Sequence, residues 1–161
     1  MDINDFIAGI KLINEENQLK LIAKNKDNLQ NFSFAKHKDS WKALWLLNKY
    51  QVTVVKVYIA QLFDLLISGN QSIIRESLKA LRQIELQEKW HSKLLDAAIK
   101  IWNNANNISS CRYYAGLILL ELTEQYPELK QEVNFLFHDE IINSLSPGIK
   151  KSILKKLNAL N

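Results

Sequence analysis

Glu88 and His91 stand three residues apart, a spacing that puts a carboxylate and an imidazole on one face of a helix. A Glu-x-x-His pair of this kind can help to hold a di-iron centre. That centre needs a second such pair and two further glutamates. The other histidines, His37 and His138, are preceded at the same spacing by Phe34 and Phe135. The motif is unpaired, so His91 is expected to be a surface or capping residue. His138-Asp139-Glu140 carries acid–base side chains, but adjacent residues on a helix point about 100° apart and do not converge. They read as a solvated helix face. Cys111, the single cysteine, sits among apolar residues and reads as a small core side chain rather than a nucleophile. The sequence holds no G-x-S-x-G, no phosphate-binding glycine loop and no H-E-x-x-H. No catalytic residue, metal or cofactor is assigned.

Four tryptophans remain. Trp41 and Trp45 are spaced i, i+4 and face one way, and Trp102 falls in an apolar slot. Tryptophans so placed are expected to pack, with Trp41 or Trp90 the alternative candidates for anchors in a binding groove.

Helices must position all of these side chains. Apolar residues recur at spacings of three and four along most of the chain. Ile3, Phe6, Ile7, Ile10 and Ile13 mark a first helix, and Leu19, Ile22 and Ala23 a weaker second. A third is expected over 34–49. The β-branched run 52–59 could pass for a strand. Its pattern continues through Leu62 and Leu66 at helical spacing, and no partner strand exists, so a fourth helix is expected there. Gly69-Asn70 reads as a helix stop followed by an N-cap. Further helices are expected over 72–84, 88–103 and 109–126, the last capped by Ser109 or Ser110. Pro127 and Ser146-Pro147 open two more, because a proline in the first turn loses no hydrogen bond. The expectation is nine helices.

The totals agree. With 161 residues the chain has the length of one domain, and it carries only 4 glycines and 2 prolines. With 47% hydrophobic and 24% charged residues it has the composition of a folded globular protein rather than a disordered one. One cysteine allows no intrachain disulfide, which suits a reducing compartment. No apolar run reaches the roughly 18 residues of a membrane span. Met1-Asp2-Ile3-Asn4-Asp5 lacks the positive start of a signal peptide, and the cytoplasm is the expected location. The net charge of +4 resolves into patches, −4 over 107–145 against +4 over 146–161. A nucleic-acid binder usually shows a sustained, arginine-rich basic stripe, and here only Arg75, Arg82 and Arg112 are arginines.

A repeat underlies the pattern. Positions counted from Lys36, Ile73, Cys111 and Ile149 fall into register at steps of 37, 38 and 38 residues. Ser77, Ala80 and Leu81 recur as Ala115, Ile118 and Leu119, and more weakly as Ser40, Ala43 and Leu44. A two-helix unit cannot bury its apolar stripe alone, and stacking such units makes one continuous core. Small residues such as Ser77 and Ala115 let neighbouring helices approach.

This period and unit resemble HEAT and armadillo repeats. The closest stretch is Cys111-Arg112-Tyr113-Tyr114-Ala115, similar to the apolar–Arg–x–x–Ala pattern of that family's first helix. Ser146-Pro147-Gly148-Ile149-Lys150 resembles its proline-bearing start. The resemblance covers about residues 34–161 and departs at Tyr114 and Lys156, where smaller residues are usual. It implies one all-α domain over 1–161, an α-α superhelix of about four stacked helix pairs plus a terminal helix, with 1–33 a weakly matching first pair.

In such a superhelix the second helices line the concave surface. The repeat step aligns Lys56 with Lys93, and Phe63 with Lys100, so Lys56, Phe63, Lys93 and Lys100 are expected to line a partner groove. The functional reading is a non-catalytic module for protein–protein interaction with no membrane contact. One alternative is a nucleic-acid-associated protein resembling the HEAT-like DNA glycosylases. Another is an immunity-type or inhibitory partner protein. The oligomeric state and the partner's identity stay open.

Overall fold

The computed structural model describes residues 3–10, 14–25, 33–34, 38–50 and 58–160. Among them every regular element is helical and none is a strand. The chain clusters into two compact units, Met1–Glu85 and Leu86–Asn161.

The first unit holds α1 (Ile3–Ile10), α2 (Glu15–Lys24), α3 (Trp41–Lys49), α4 (Ile59–Leu65) and α5 (Gln71–Gln83). Helix α5 packs on α3 and α4, and α1 lies against α2 and α3. Leu44, Leu47, Leu62, Leu65, Leu78 and Leu81 form the core with Phe6 and Phe34, all buried. The expected stop and restart before α5 is present. Gly69 takes φ +75, a left-handed conformation that favours glycine, although a Cβ there would meet nothing. Asn70 Oδ1 then accepts from the backbone N–H of Ser72 and Ile73 at 3.0 and 3.2 Å, which satisfies two amino-end donors of α5. The starts expected for the third and fourth helices fall on or beside residues 35–37 and 51–57, outside the described residues; the described parts are helical from Trp41 and Ile59.

The second unit holds α6 (His91–Asn103), α7 (Ser109–Gln125), α8 (Lys130–Leu136), α9 (Asp139–Asn143) and α10 (Pro147–Leu160). Single 3-10 turns, Glu88–Trp90 and Pro127–Leu129, lead into α6 and α8. Helix α7 is central and packs on α6, α8 and α10. It is therefore covered on several sides, and ten of its residues from Cys111 to Thr123 are buried. A helix apolar all round is what such a position requires. Ala115, like Ser77 in the first unit, is fully buried at its repeat position.

Two details depart from the sequence reading. Neither Ser109 nor Ser110 caps α7: Ile108 occupies the cap position, with no side-chain bond, and Ser109 is already helical. The single helix expected after Pro127 is two, parted at Phe137 and His138, where His138 is extended. The Trp102 indole N–H donates to the Leu136 carbonyl at 2.7 Å. That carbonyl is one of those left open at the carboxyl end of α8, and the indole satisfies it. Asp139 and Glu140 then begin α9, where negative charge favours the amino end.

Candidate functional site

Helix α6 presents two unlike sides. Leu94, Ala98, Ile101 and Trp102 are buried, whereas Lys93 and Lys100 are exposed. At about 100° per residue the two lysines lie roughly 20° apart, turned away from Ala98. Trp90, just before the helix, is half-buried, with Lys93 Nζ 5.7 Å and Lys89 Nζ 5.9 Å from its ring centroid. The result is an exposed face that carries Lys93, Asp96 and Lys100, basic by one net charge, with an aromatic at its amino end.

The remaining expected site residues lie in the other unit. Lys56 is outside the described residues. Phe63 is only 4% exposed and belongs to the core of the first unit, so it lines no open groove. On α4 the neighbouring Leu62 and Leu65 are also buried, and the residues facing solvent are Ala60 and Asp64. The rotation of α4 thus differs from that of α6 by about one residue, which a strict repeat step does not anticipate. His138, aligned with Lys100, is exposed and makes no side-chain capping bond.

Trp102 is fully buried, as its apolar slot predicted. Trp41 and Trp45 are half-buried, each with a lysine, Lys42 or Lys49, over its ring. Cys111 is buried in α7, in keeping with a core role.

Arg112 has the most concentrated chemistry. It is 3% exposed. Its Nε donates to the Trp102 carbonyl at 2.9 Å, and its two terminal nitrogens to Ser144 Oγ at 2.8 Å and the Ile141 carbonyl at 3.4 Å. Trp102 and Ile141 lie in the last turns of α6 and α9, where orphan carbonyls and the helix dipole both favour a cation. Two helix ends and a hydroxyl take the place of a carboxylate. Burial pushes the guanidinium pKa below its ordinary value. The sequence pattern marked Arg112, but not that it would tie two helix ends together.

His91 opens α6 and is half-buried. Its Nε2 lies 3.2 Å from the Leu86 carbonyl, and its Nδ1 2.7 Å from the Tyr126 hydroxyl. A carbonyl only accepts, so Nε2 carries the proton, and in the neutral ring Nδ1 accepts from Tyr126. Leu86 lies between helices, so this bond ties His91 to the preceding connection rather than capping a helix end. A cleft of about 240 Å³ opens beside this pair, lined also by Glu88, Glu128 and three leucines. Among the described residues no three His, Cys, Asp or Glu side chains are grouped so as to hold a metal ion. No described helix is long and apolar enough to cross a membrane.

A family model described as a HEAT repeat domain matches residues 10–159. No curated protein and no solved structure matches the chain.

Proposed function

The chain belongs to the HEAT repeat domain family, and from that premise we propose that it is a non-catalytic module that binds a protein partner through the basic face of α6. The observation that carries this reading is the pairing of Lys93 and Lys100, two turns apart and both exposed, beside half-buried Trp90. Arg112, Trp102 and Glu76 are buried and make internal bonds. A tryptophan flanked by lysines suits an acidic partner surface with an apolar centre. Lys56 is part of the proposal, as the matching position of the preceding repeat. A lone, buried cysteine suits a reducing compartment, and the cytoplasm is the proposed location.

Affinity capture from the native host tests this. The tagged chain is compared with Lys93→Glu/Lys100→Glu and with a control reversal at exposed positions of α10, Lys151→Glu/Lys155→Glu. A protein held by wild type and control but lost from the α6 variant is the expected result. Equal recovery by all three would overturn the reading.

One observation favours a second reading, binding to nucleic acid. Lys89 and Lys93 over Trp90 form a basic–aromatic grouping of the kind on which bases stack. Salt-dependent retardation of a DNA fragment would support it. No binding at low salt would remove it.

A further inference from the structure

The cleft beside His91 and Tyr126 has no part in the basic face. It lies between the amino end of α6 and the carboxyl end of α7. Leu95, Leu122 and Leu129 supply apolar walls, and Glu88 and Glu128 its charged lining. Both glutamates are exposed, and neither has an ion-pair partner among the described residues. The polar atoms of His91 and Tyr126 are already spent on each other and on the Leu86 carbonyl.

Size and sign limit the occupant. The volume of about 240 Å³ exceeds the roughly 150 Å³ cavity that holds benzene, and falls below the ~300 Å³ at which sites for drug-sized ligands begin. It suits one side chain or a fragment, not a nucleotide. The amino end of α6 and the carboxyl end of α7 carry opposite dipole charge and offset each other. The two carboxylates therefore set a negative field at the mouth of an apolar slot. A complementary group has an aliphatic stem for the leucines and a cation for Glu88 and Glu128.

We propose that this cleft receives one lysine or arginine side chain of a protein partner. The proposal rests on the reading of the chain as a protein-binding module, but not on the basic face. Lys93 and Lys100 lie about 160–180° around α6 from His91, so the two surfaces can be tested apart.

The test is an NMR titration of the full chain, following the His91 ring signals, assigned by comparison with His91→Gln. The probes are acetyl-Ala-Ala-Lys-Ala-Ala-amide, the same peptide with norleucine for lysine, and butylammonium. The expected result is a saturable shift with the lysine peptide. Affinity falls at least tenfold with the norleucine peptide, and likewise for the lysine peptide on Glu88→Gln/Glu128→Gln. Both glutamates are exposed, so that variant keeps its fold, which circular dichroism checks. Butylammonium is expected to bind more weakly than the lysine peptide. No shift with the lysine peptide overturns the proposal, and so does an equal response to norleucine. Butylammonium binding as tightly as the peptide overturns it in favour of a small-amine site. Lys93→Glu/Lys100→Glu is expected to titrate as wild type does. Failure here with partner capture intact removes the cleft alone, and the reverse outcome removes the basic face alone.

Discussion

Gly116 and Trp102 fit together because one has no side chain. A Cβ on Gly116 would lie 2.7 Å from Cζ3 of the indole and 3.2 Å from Ile153 Cδ1. The ring has little room to retreat. Its N–H is bonded to the Leu136 carbonyl at 2.7 Å, and Phe137 stacks obliquely with centroids 4.5 Å apart. Gly116→Ala adds helix propensity worth about 1 kcal/mol, but the clash opposes it. Overpacking of a filled core costs about 1–3 kcal/mol. The expected outcome is a net loss of stability for Gly116→Ala and a larger one for Gly116→Val. Urea denaturation followed by circular dichroism checks both midpoints, and an alanine variant more stable than wild type would refute the account.

Arg112 is held by acceptors on two helix ends, so charge alone does not replace it. Arg112→Met leaves the Trp102 carbonyl without its Arg112 donor, at about 1–3 kcal/mol, whereas the Ile141 carbonyl keeps the Ser144 hydroxyl at 2.6 Å. Arg112→Lys keeps the cation but has one nitrogen to serve three acceptors, so it is not a conservative change. Both variants are expected to lose about 1–3 kcal/mol in denaturant titration. A lysine variant of wild-type stability would show that the fork geometry is unimportant.

The sequence revealed the parts of this fold that local chemistry decides. Asn70, Pro127 and Pro147 punctuate helices where expected, and the small residues Ser77 and Ala115 are buried at matching repeat positions. The exposure of Lys93 and Lys100 followed from helical periodicity. The break after Leu136 was not legible, and the indole that satisfies its open carbonyl lies 34 residues away. The burial of Phe63 was missed for a related reason: a repeat step fixes sequence alignment but not the rotation of each helix about its axis. Glu88 and Glu128 share a cleft only because α7 returns the chain to the start of α6.

Asn70 has two separable roles. Its Oδ1 caps α5, while its Nδ2 donates to the Lys38 carbonyl at 3.2 Å. Asn70→Asp keeps the cap oxygen and adds favourable charge at the amino end, but loses the donor. Asn70→Ala loses both, with the cap alone worth about 1 kcal/mol. Thermal denaturation is expected to rank wild type, then aspartate, then alanine. Equal melting of the aspartate and alanine variants would show that the cap contributes nothing.

Glu76 is a buried carboxylate, 1% exposed, with unequal partners. Arg75 Nε and Lys79 Nζ donate to it at 2.9 Å, and their side chains keep 28% and 23% exposure. Asn48 Nδ2 donates to the carboxylate at 3.1 Å and to the Glu76 backbone carbonyl at 2.9 Å, and is buried. Removing a partner from a fully buried ion pair costs about 3–5 kcal/mol, because a charge is stranded. Here both cations can swing into water, so Glu76→Ala strands mainly one amide hydrogen and leaves a small void. The expected loss is smaller, about 1–3 kcal/mol. Glu76→Gln can still accept from Asn48 and is expected to lose less than Glu76→Ala. Asn48→Leu should make the two Glu76 variants converge, because no amide is left to strand. A double-mutant cycle in urea measures this coupling, and additive losses would place the cost on the cations instead.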